Sequence, residues 1–462
     1  MQREISAVFG EKKVVLRDTE RAVSPFGGIS VMVGYLNKIG YWAKIKGAMP
    51  FSLKSPNAID PAETFTAFIV SVLAGARRFS HTAMLRADRG LHAMLGMKRF
   101  PTDDTIRNFF KRFTSKIVYE FYWELWVWQM GRIPERKDHS LDLDSTVFER
   151  YGKQEGAMKG YNPRKHGRPS HHPILAILNE AQFILHGWLR SGNCSSARGV
   201  VEFLKEALEL MPAGQGIRVV RGDSGFFDDK LLSFLEDRGL AYIIAVRLTR
   251  WIKREAARVT EWRELDGGYA VGEFRVKLLG WREERRFVVV REIVREDKSA
   301  LGRKLVDLPG YTFRIFVTTL ADKPEEVWRD YNQRAVMEKR IGELKYDLAA
   351  DDFCMKEFFA TEAAFRSVLF LFNLLSEFQR VSGEKQYRQP ATLRAQVFLC
   401  GAILGRSGRR SVIHMSKDWG GLEQRNPLFE KILSYVFPTS PKLTTPEITN
   451  NIVHPSPDPF PA

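Results

Sequence analysis

Cysteine is scarce in this chain: Cys194, Cys354 and Cys400 are the three among 462 residues, odd in number and far apart. That excludes a disulfide framework and a CxxC metal pair, and it fits a reducing compartment. Long apolar runs are missing too. The stretches near residues 68–76 and 368–375 read as too short to span a bilayer and have charges close by. The opening segment MQREISAVFGEKKVVLRDTE lacks the apolar centre of a secretory signal. A cytoplasmic protein with no membrane partner is therefore expected. There is no internal repeat and no long low-complexity tract. Acidic charge is in deficit, with 55 Asp+Glu against 71 Lys+Arg, a net +16 and a pI near 9.7. At 44% hydrophobic and 27% charged, the composition is that of an ordinary globular chain, long enough for about three average domains. Such a positive surplus favours an anionic partner, most often nucleic acid.

Residues 1–135 read as a helical DNA-binding region. Asp60-Pro61-Ala62-Glu63 has the marks of a helix start: an Asp cap, Pro at the first position and Glu three residues on. A second helical segment runs from Ser80 to Leu95, and a third from Thr102 to Met130. Between Arg77 and Lys116 stand ten basic residues (Arg77, Arg78, Arg86, Arg89, Lys98, Arg99, Arg107, Lys111, Arg112, Lys116) against Asp88, Asp103 and Asp104. Basic helices joined by short turns suit a DNA groove; the bland alternative is a solvated face on a bundle.

From about residue 138 the period changes to two, with Leu141, Leu143 and Val147 alternating with Asp142, Asp144 and Thr146. A Gly/Pro-rich basic loop occupies 152–172, and a hairpin turns near Asn179-Glu180. Helix (197–210), strand (217–221), helix (228–237) and strand (241–246) follow. The expected layout is a core over 136–249, a β-rich insertion over 250–310 and the rest of the core over 311–350. A C-terminal helical and mixed region (351–437) and a Pro-rich, loosely ordered tail (438–462) complete it. Three antiparallel strands, then helix–strand–helix–strand, then a late helix describe a mixed α/β sheet. That order agrees with a ribonuclease-H-like core, one option among several on pattern alone.

Asp142 and Asp144 share one side of their strand, where a bound cation would offset their desolvation. Asp223 follows the apolar strand IRVVRG at its carboxyl end, where α/β proteins place ligands. Two such carboxylates and a third from a helix make an all-oxygen site for Mg²⁺, although each aspartate alone is more simply a turn or cap residue. The segment 325–348 reads as one helix carrying Tyr331, Arg334, Glu338 and Lys345 on a single stripe, since offsets of three, seven and fourteen fall within about 60°. The neighbouring stripe of Met337, Ile341, Leu344 and Leu348 is apolar. An ordinary solvated face with charge pairs is the competing reading.

Tyr331-x2-Arg334-x3-Glu338-x6-Lys345 resembles the YREK signature of a large group of DDE transposases from bacterial insertion sequences. LDLDSTVFERYGKQEGAMKGYNPRKHGRPSHHPILAIL is similar to the first-aspartate region of the insertion-sequence 1380 family, and VVRGDSGFF to its second. The resemblance spans roughly 100–415. It implies a ribonuclease-H-like core interrupted by a β-rich insertion, and cleavage and strand transfer at transposon ends. On it, Asp144, Asp223 and Glu338 are the catalytic, metal-holding carboxylates, with Asp142 the rival for first place. Tyr331, Arg334 and Lys345 are then phosphate contacts. Ala335 departs from the pattern, because related groups often have Trp there.

The resemblance implies two Mg²⁺ ions, with Mn²⁺ substituting, which suit in-line attack on a phosphodiester by water and then by a DNA 3′-hydroxyl. The implied partners are double-stranded DNA, both inverted repeats and target, and a second copy of the chain when two ends are paired, in a bacterial, nucleoid-associated setting. Lys159, Arg164, Lys165 and Arg168, in the acid-free loop Ala157–His172 after the first aspartate, are DNA-backbone candidates. His171-His172 reads as loop packing or phosphate contact. Trp281 is a candidate for stacking on an extruded base, though an aromatic in a β-rich segment is more often core. Two other functions share this pattern: a catalytically silent DNA-binding descendant and a stand-alone nuclease.

Overall fold

The computed structural model describes residues 2–7, 10, 12–163, 165–293, 311–384, 386–418 and 422–436. Arg164, the end of the 250–310 segment and the tail 438–462 lie outside them.

The alternation at Leu141–Asp144 forms strand His139–Ser145, buried along nearly its whole length. It lies inside a nine-stranded mixed sheet. The strand order is Arg263–Leu265, Tyr269–Val276, Arg285–Ile293, Tyr311–Thr318, Ala241–Ala245, Ile217–Gly222, His139–Ser145, Ile174–Leu178, Phe183–Trp188. His139–Ser145, Ile217–Gly222 and Ala241–Ala245 run parallel, and their neighbours on both sides are antiparallel. Parallel neighbours need crossovers. Helices Val200–Glu209 and Asp229–Asp237 supply them, burying Phe203, Leu204, Leu231 and Leu235. The hairpin expected at Asn179-Glu180 turns there, between Leu178 and Phe183. The strands of segment 250–310 continue this sheet through Tyr311–Thr318, after a helix, Arg250–Ala257, that Thr249 caps.

Several local expectations are corrected. The N-terminal region is not wholly helical: Gln2–Ser6 pairs with Lys13–Arg17, and Val23–Ser24 pairs with Ala402–Ser407, tying the region to a C-terminal hairpin. The expected helix 102–130 is two helices, Asp103–Phe110 and Ser115–Met130. Thr102 caps the expected start, and Thr114 accepts a backbone N–H at the new one. Asp88 splits the 80–95 segment in the same way, opening Arg89–Leu95. Asp60 caps Pro61–Leu73 as its sequence implies. The 152–172 loop contains strands Met158–Lys159 and Pro169–His171, which join Phe148–Glu149 in a small sheet.

Helix Phe358–Ser382 runs through the helical body. Its 25 residues are long and apolar enough to cross a membrane by length and composition, contrary to the reading of that run as too short. Burial decides its role: 94% of its most apolar window lies inside the protein. Gln129 on Ser115–Met130 donates to the Phe370 carbonyl (3.0 Å), and Asn373 donates to Ile184 O (2.9 Å) on the sheet's edge strand. One apolar core therefore joins the helices to the sheet.

Candidate active site

The sheet register places two aspartates side by side. Leu143 is paired with Gly222 across the parallel strands, so Asp144 and Asp223 follow at adjacent carboxyl ends. Beyond Gly222 the chain turns, and Asp223 Oδ1 accepts from Gly225 N (2.8 Å), opening a short 3₁₀ turn. Asp144 Oδ1 accepts from Ser145 N (2.7 Å).

Asp142 and Asp144 share a strand face but have different surroundings. Both Asp142 oxygens accept from Arg221 on the neighbouring strand, at 2.6 and 3.0 Å, with the two side chains 1% and 0% exposed. Arg221 also donates to the carbonyl (2.7 Å) and carboxylate (2.9 Å) of Asp330, stitching the sheet to helix Pro324–Asn332. Asp142 is thus committed to a buried ion pair. The Asp144 carboxyl is pushed up to about 6, first by burial and then by the charges of Asp223 and Glu338, against the pull of Arg334.

The segment expected as one helix is three pieces: Pro324–Asn332, Ala335–Gly342 and a π turn, Glu343–Asp347. Neither Pro nor Gly stands at 333–334. The junction tightens through i→i−3 bonds, Arg334 N to Tyr331 O (2.9 Å) and Met337 N to Arg334 O (2.9 Å), which keeps residues three apart on one face. Arg334 Nη2 reaches Leu143 O (3.0 Å) and Asp144 Oδ2 (3.1 Å). Tyr331 packs on Phe316, with ring centroids 4.4 Å apart, and its hydroxyl is raised by burial and by the field of Asp223 and Asp144. Lys345 donates to Val147 O (3.0 Å), fixing the chain just after the Asp144 strand. The apolar stripe is packed inward as expected, with Met337, Leu344 and Leu348 buried. Glu338 is exposed on its helix.

Among the described residues, no three His, Cys, Asp or Glu side chains converge closely enough to hold a metal ion. The carboxylates nevertheless act on one another. Asp223 and Glu338 both raise Asp144, with Glu338 contributing less. As hard-oxygen donors these carboxylates fit Mg²⁺ or Mn²⁺ in kind.

The remaining candidates are dispersed. Lys159, Lys165 and Arg168 are exposed. Lys165 is tied to Glu149 (2.9 Å) and Tyr151 (2.6 Å), and Arg168 lies over the Tyr151 ring at 4.7 Å. His171 is buried, accepts from Arg150 Nε (3.0 Å) and is depressed to about 3 by desolvation, so it packs the loop and does not meet phosphate. Trp281 is half-buried against Phe227 (5.0 Å), with the Arg285 guanidinium 4.7 Å from its ring. Nine of the ten basic residues between Arg77 and Lys116 are exposed; Arg107 is half-buried.

Sequence reasoning missed Arg221, whose signal was an arginine inside an apolar strand. It also missed the loop after Arg190. Ser196 Oγ lies 2.7 Å from Ser145 Oγ beside Asp144, and a Cβ on Gly225 would meet Ser196 at 2.6 Å and Asp223 Oδ1 at 3.0 Å. Nothing in that loop's own sequence announces its position, which comes from the packing of strand Phe183–Trp188.

The family described as transposase DDE domain group 1 matches residues 6–436. No curated protein matches. Among solved structures, the cryo-EM structure of the piggyBac transposase synaptic complex with hairpin DNA is similar at 13% identity and a TM-score of 0.44, covering 81% of this chain and 81% of that one.

Proposed function

The chain belongs to the DDE transposase family, and on that premise we propose that it cuts DNA at transposon ends and joins the freed 3′-hydroxyl to target DNA. The observation that carries the site assignment is the register of two parallel strands, which delivers Asp144 and Asp223 to one edge with Arg334 3.1 Å from Asp144. Three antiparallel strands followed by helix–strand–helix–strand and the Glu338 helix support a ribonuclease-H-like core. Residues 250–310 are then its insertion, and residues 1–135 a DNA-binding region. The buried pair with Arg221 supports Asp144 over Asp142 as the first carboxylate.

Asp144, Asp223 and Glu338 would hold divalent metal, Mg²⁺ or Mn²⁺, which when bound activates the attacking oxygen and stabilises the leaving one. The chain's own residues set the frame. Ser145 N orients one Asp144 oxygen, Arg334 brings positive charge to the scissile position, Tyr331 stands beside the carboxylates, and Lys345 anchors the following turn. Exposed Lys159 and Arg168 and the Arg77–Lys116 surface would hold the DNA backbone, and a second copy would bring the other end. The setting proposed is bacterial cytoplasm, at the nucleoid.

The test is incubation with the DNA flanking its own reading frame and Mg²⁺. Cuts at inverted repeats with strand transfer are expected, and Asp144→Asn, Asp223→Asn or Glu338→Gln should each abolish them while salt-sensitive binding persists. Nicking without transfer would indicate a nuclease, and binding without cleavage a silent descendant. Cleavage by the carboxylate variants would overturn the assignment.

A further inference from the structure

We propose that the segment Asn193–Arg198 is a DNA-backbone-binding loop, held by Arg190, that seats the sugar-phosphate chain beside Asp144 and Asp223. The proposal rests on the transposase reading and adds a fourth element to its site.

Arg190 is 7% exposed and directs Nε and Nη1 at backbone carbonyls. Its Nε donates to His172 O (3.0 Å), and its two Nη1 hydrogens are shared among the carbonyls of Ser195 (3.1 Å), Ser196 (3.3 Å) and Arg198 (2.7 Å). His172 is bonded through its ring Nδ1 to Cys194 O (2.6 Å). A loop this short held at four carbonyls has a fixed path, and the path brings Ser196 Oγ to Ser145 Oγ at 2.7 Å. Ser145 is the residue whose N–H orients Asp144. The loop therefore touches the carboxylate edge through one hydroxyl–hydroxyl contact.

Its outer face has the chemistry of a phosphate contact. Asn193, Ser195 and Arg198 are exposed, and no acidic residue occurs from 190 to 201. Arg, Ser and Asn side chains and backbone N–H groups make most protein contacts to DNA phosphates, and such contacts position the duplex without reading its sequence. Arg190 is thus a positioning residue, Arg198 the charged contact and Ser196 a hydroxyl contact beside Ser145. The paired carbonyls leave the loop no freedom to serve as a mobile flap.

The experiment uses the full chain, a duplex carrying its own end, and five variants. Arg198→Ala should weaken binding about equally for end and unrelated duplexes, and should lower the slope of log affinity against log salt by about one. Ser196→Ala should keep the slope and slow cleavage at saturating DNA by about tenfold, as losses around a site's outer contacts do, with Ser196→Thr recovering most of the rate. Arg190→Lys cannot reproduce the hold on three loop carbonyls, and should show both defects. Wild-type slope in Arg198→Ala together with wild-type cleavage in Ser196→Ala, while Asp144→Asn is inactive, would overturn the loop proposal and leave the transposase reading intact. If the wild type itself makes no cut, the enzymatic reading fails, and the Arg198→Ala slope still decides whether the loop meets DNA.

Discussion

Arg221→Met tests which of the two neighbouring aspartates is structural. The change keeps side-chain length but strips the guanidinium, leaving the Asp142 carboxylate 1% exposed and without its bonds at 2.6 and 3.0 Å. Asp330 suffers less, since it is 14% exposed and keeps Arg218 at 2.6 Å. Removing one partner of a buried pair costs about 3–5 kcal/mol. Adding Asp142→Leu removes the stranded charge, and replacing a buried pair by apolar groups is neutral or stabilising by about 1–4 kcal/mol. The double variant should therefore unfold in urea near the wild-type midpoint, and each single variant well below it. Because Asp144 is untouched, the double variant should still cut transposon-end DNA. A double variant as unstable as the singles would refute the pairing argument. A well-folded double variant that cuts nothing would make Asp142 the first carboxylate.

His171 carries a pH prediction. Its folded value is depressed to about 3 from 6.5 by burial and by Arg150, so the unfolded chain takes up the proton first as pH falls. Stability should drop by about 1.4 kcal/mol per pH unit from this group between about 6.5 and about 3, and a His171→Gln variant should show a shallower acid slope in urea titrations. Gly192→Ala should destabilise and displace the neighbouring loop, since its Cβ would lie 2.0 Å from Ser170 O and 2.3 Å from Met158 O; an unchanged melting temperature would contradict that packing. Lys345→Met should lose the bond to Val147 O and slow cleavage at saturating DNA more than it weakens binding, measured side by side on one duplex. Asp60→Ala should cost about 1 kcal/mol by removing the cap on Pro61–Leu73, read from the urea midpoint.

Much of this molecule is local information. The alternation around Asp142–Asp144, the turn after Leu178, the cap at Asp60 and the spacing of Tyr331, Arg334, Glu338 and Lys345 all lie within a few residues, and period and capping chemistry are short-range effects. Asp88 and Thr114 are caps of the same short-range kind, and they are what split the long helical segments. The strands at Gln2–Ser6 and Lys13–Arg17 were hidden by their brevity.

What sequence could not decide were partners distant along the chain. Asp142 and Asp144 have the same residue type, strand and face; only the register against Ile217–Gly222 gives one of them Arg221 and the other Asp223, and only helix packing brings Arg334 to the second. The apolar run around Phe358–Ser382 has the composition of a membrane span, and only its burial among the other helices makes it core. Ser196 lies 51 residues from Ser145 in sequence and 2.7 Å from it in space. The sequence by itself determined which groups are available, because residue type and spacing are chemistry and periodicity. Tertiary structure decided which of them meet, because buried charge and strand register are settled only when the strands pair.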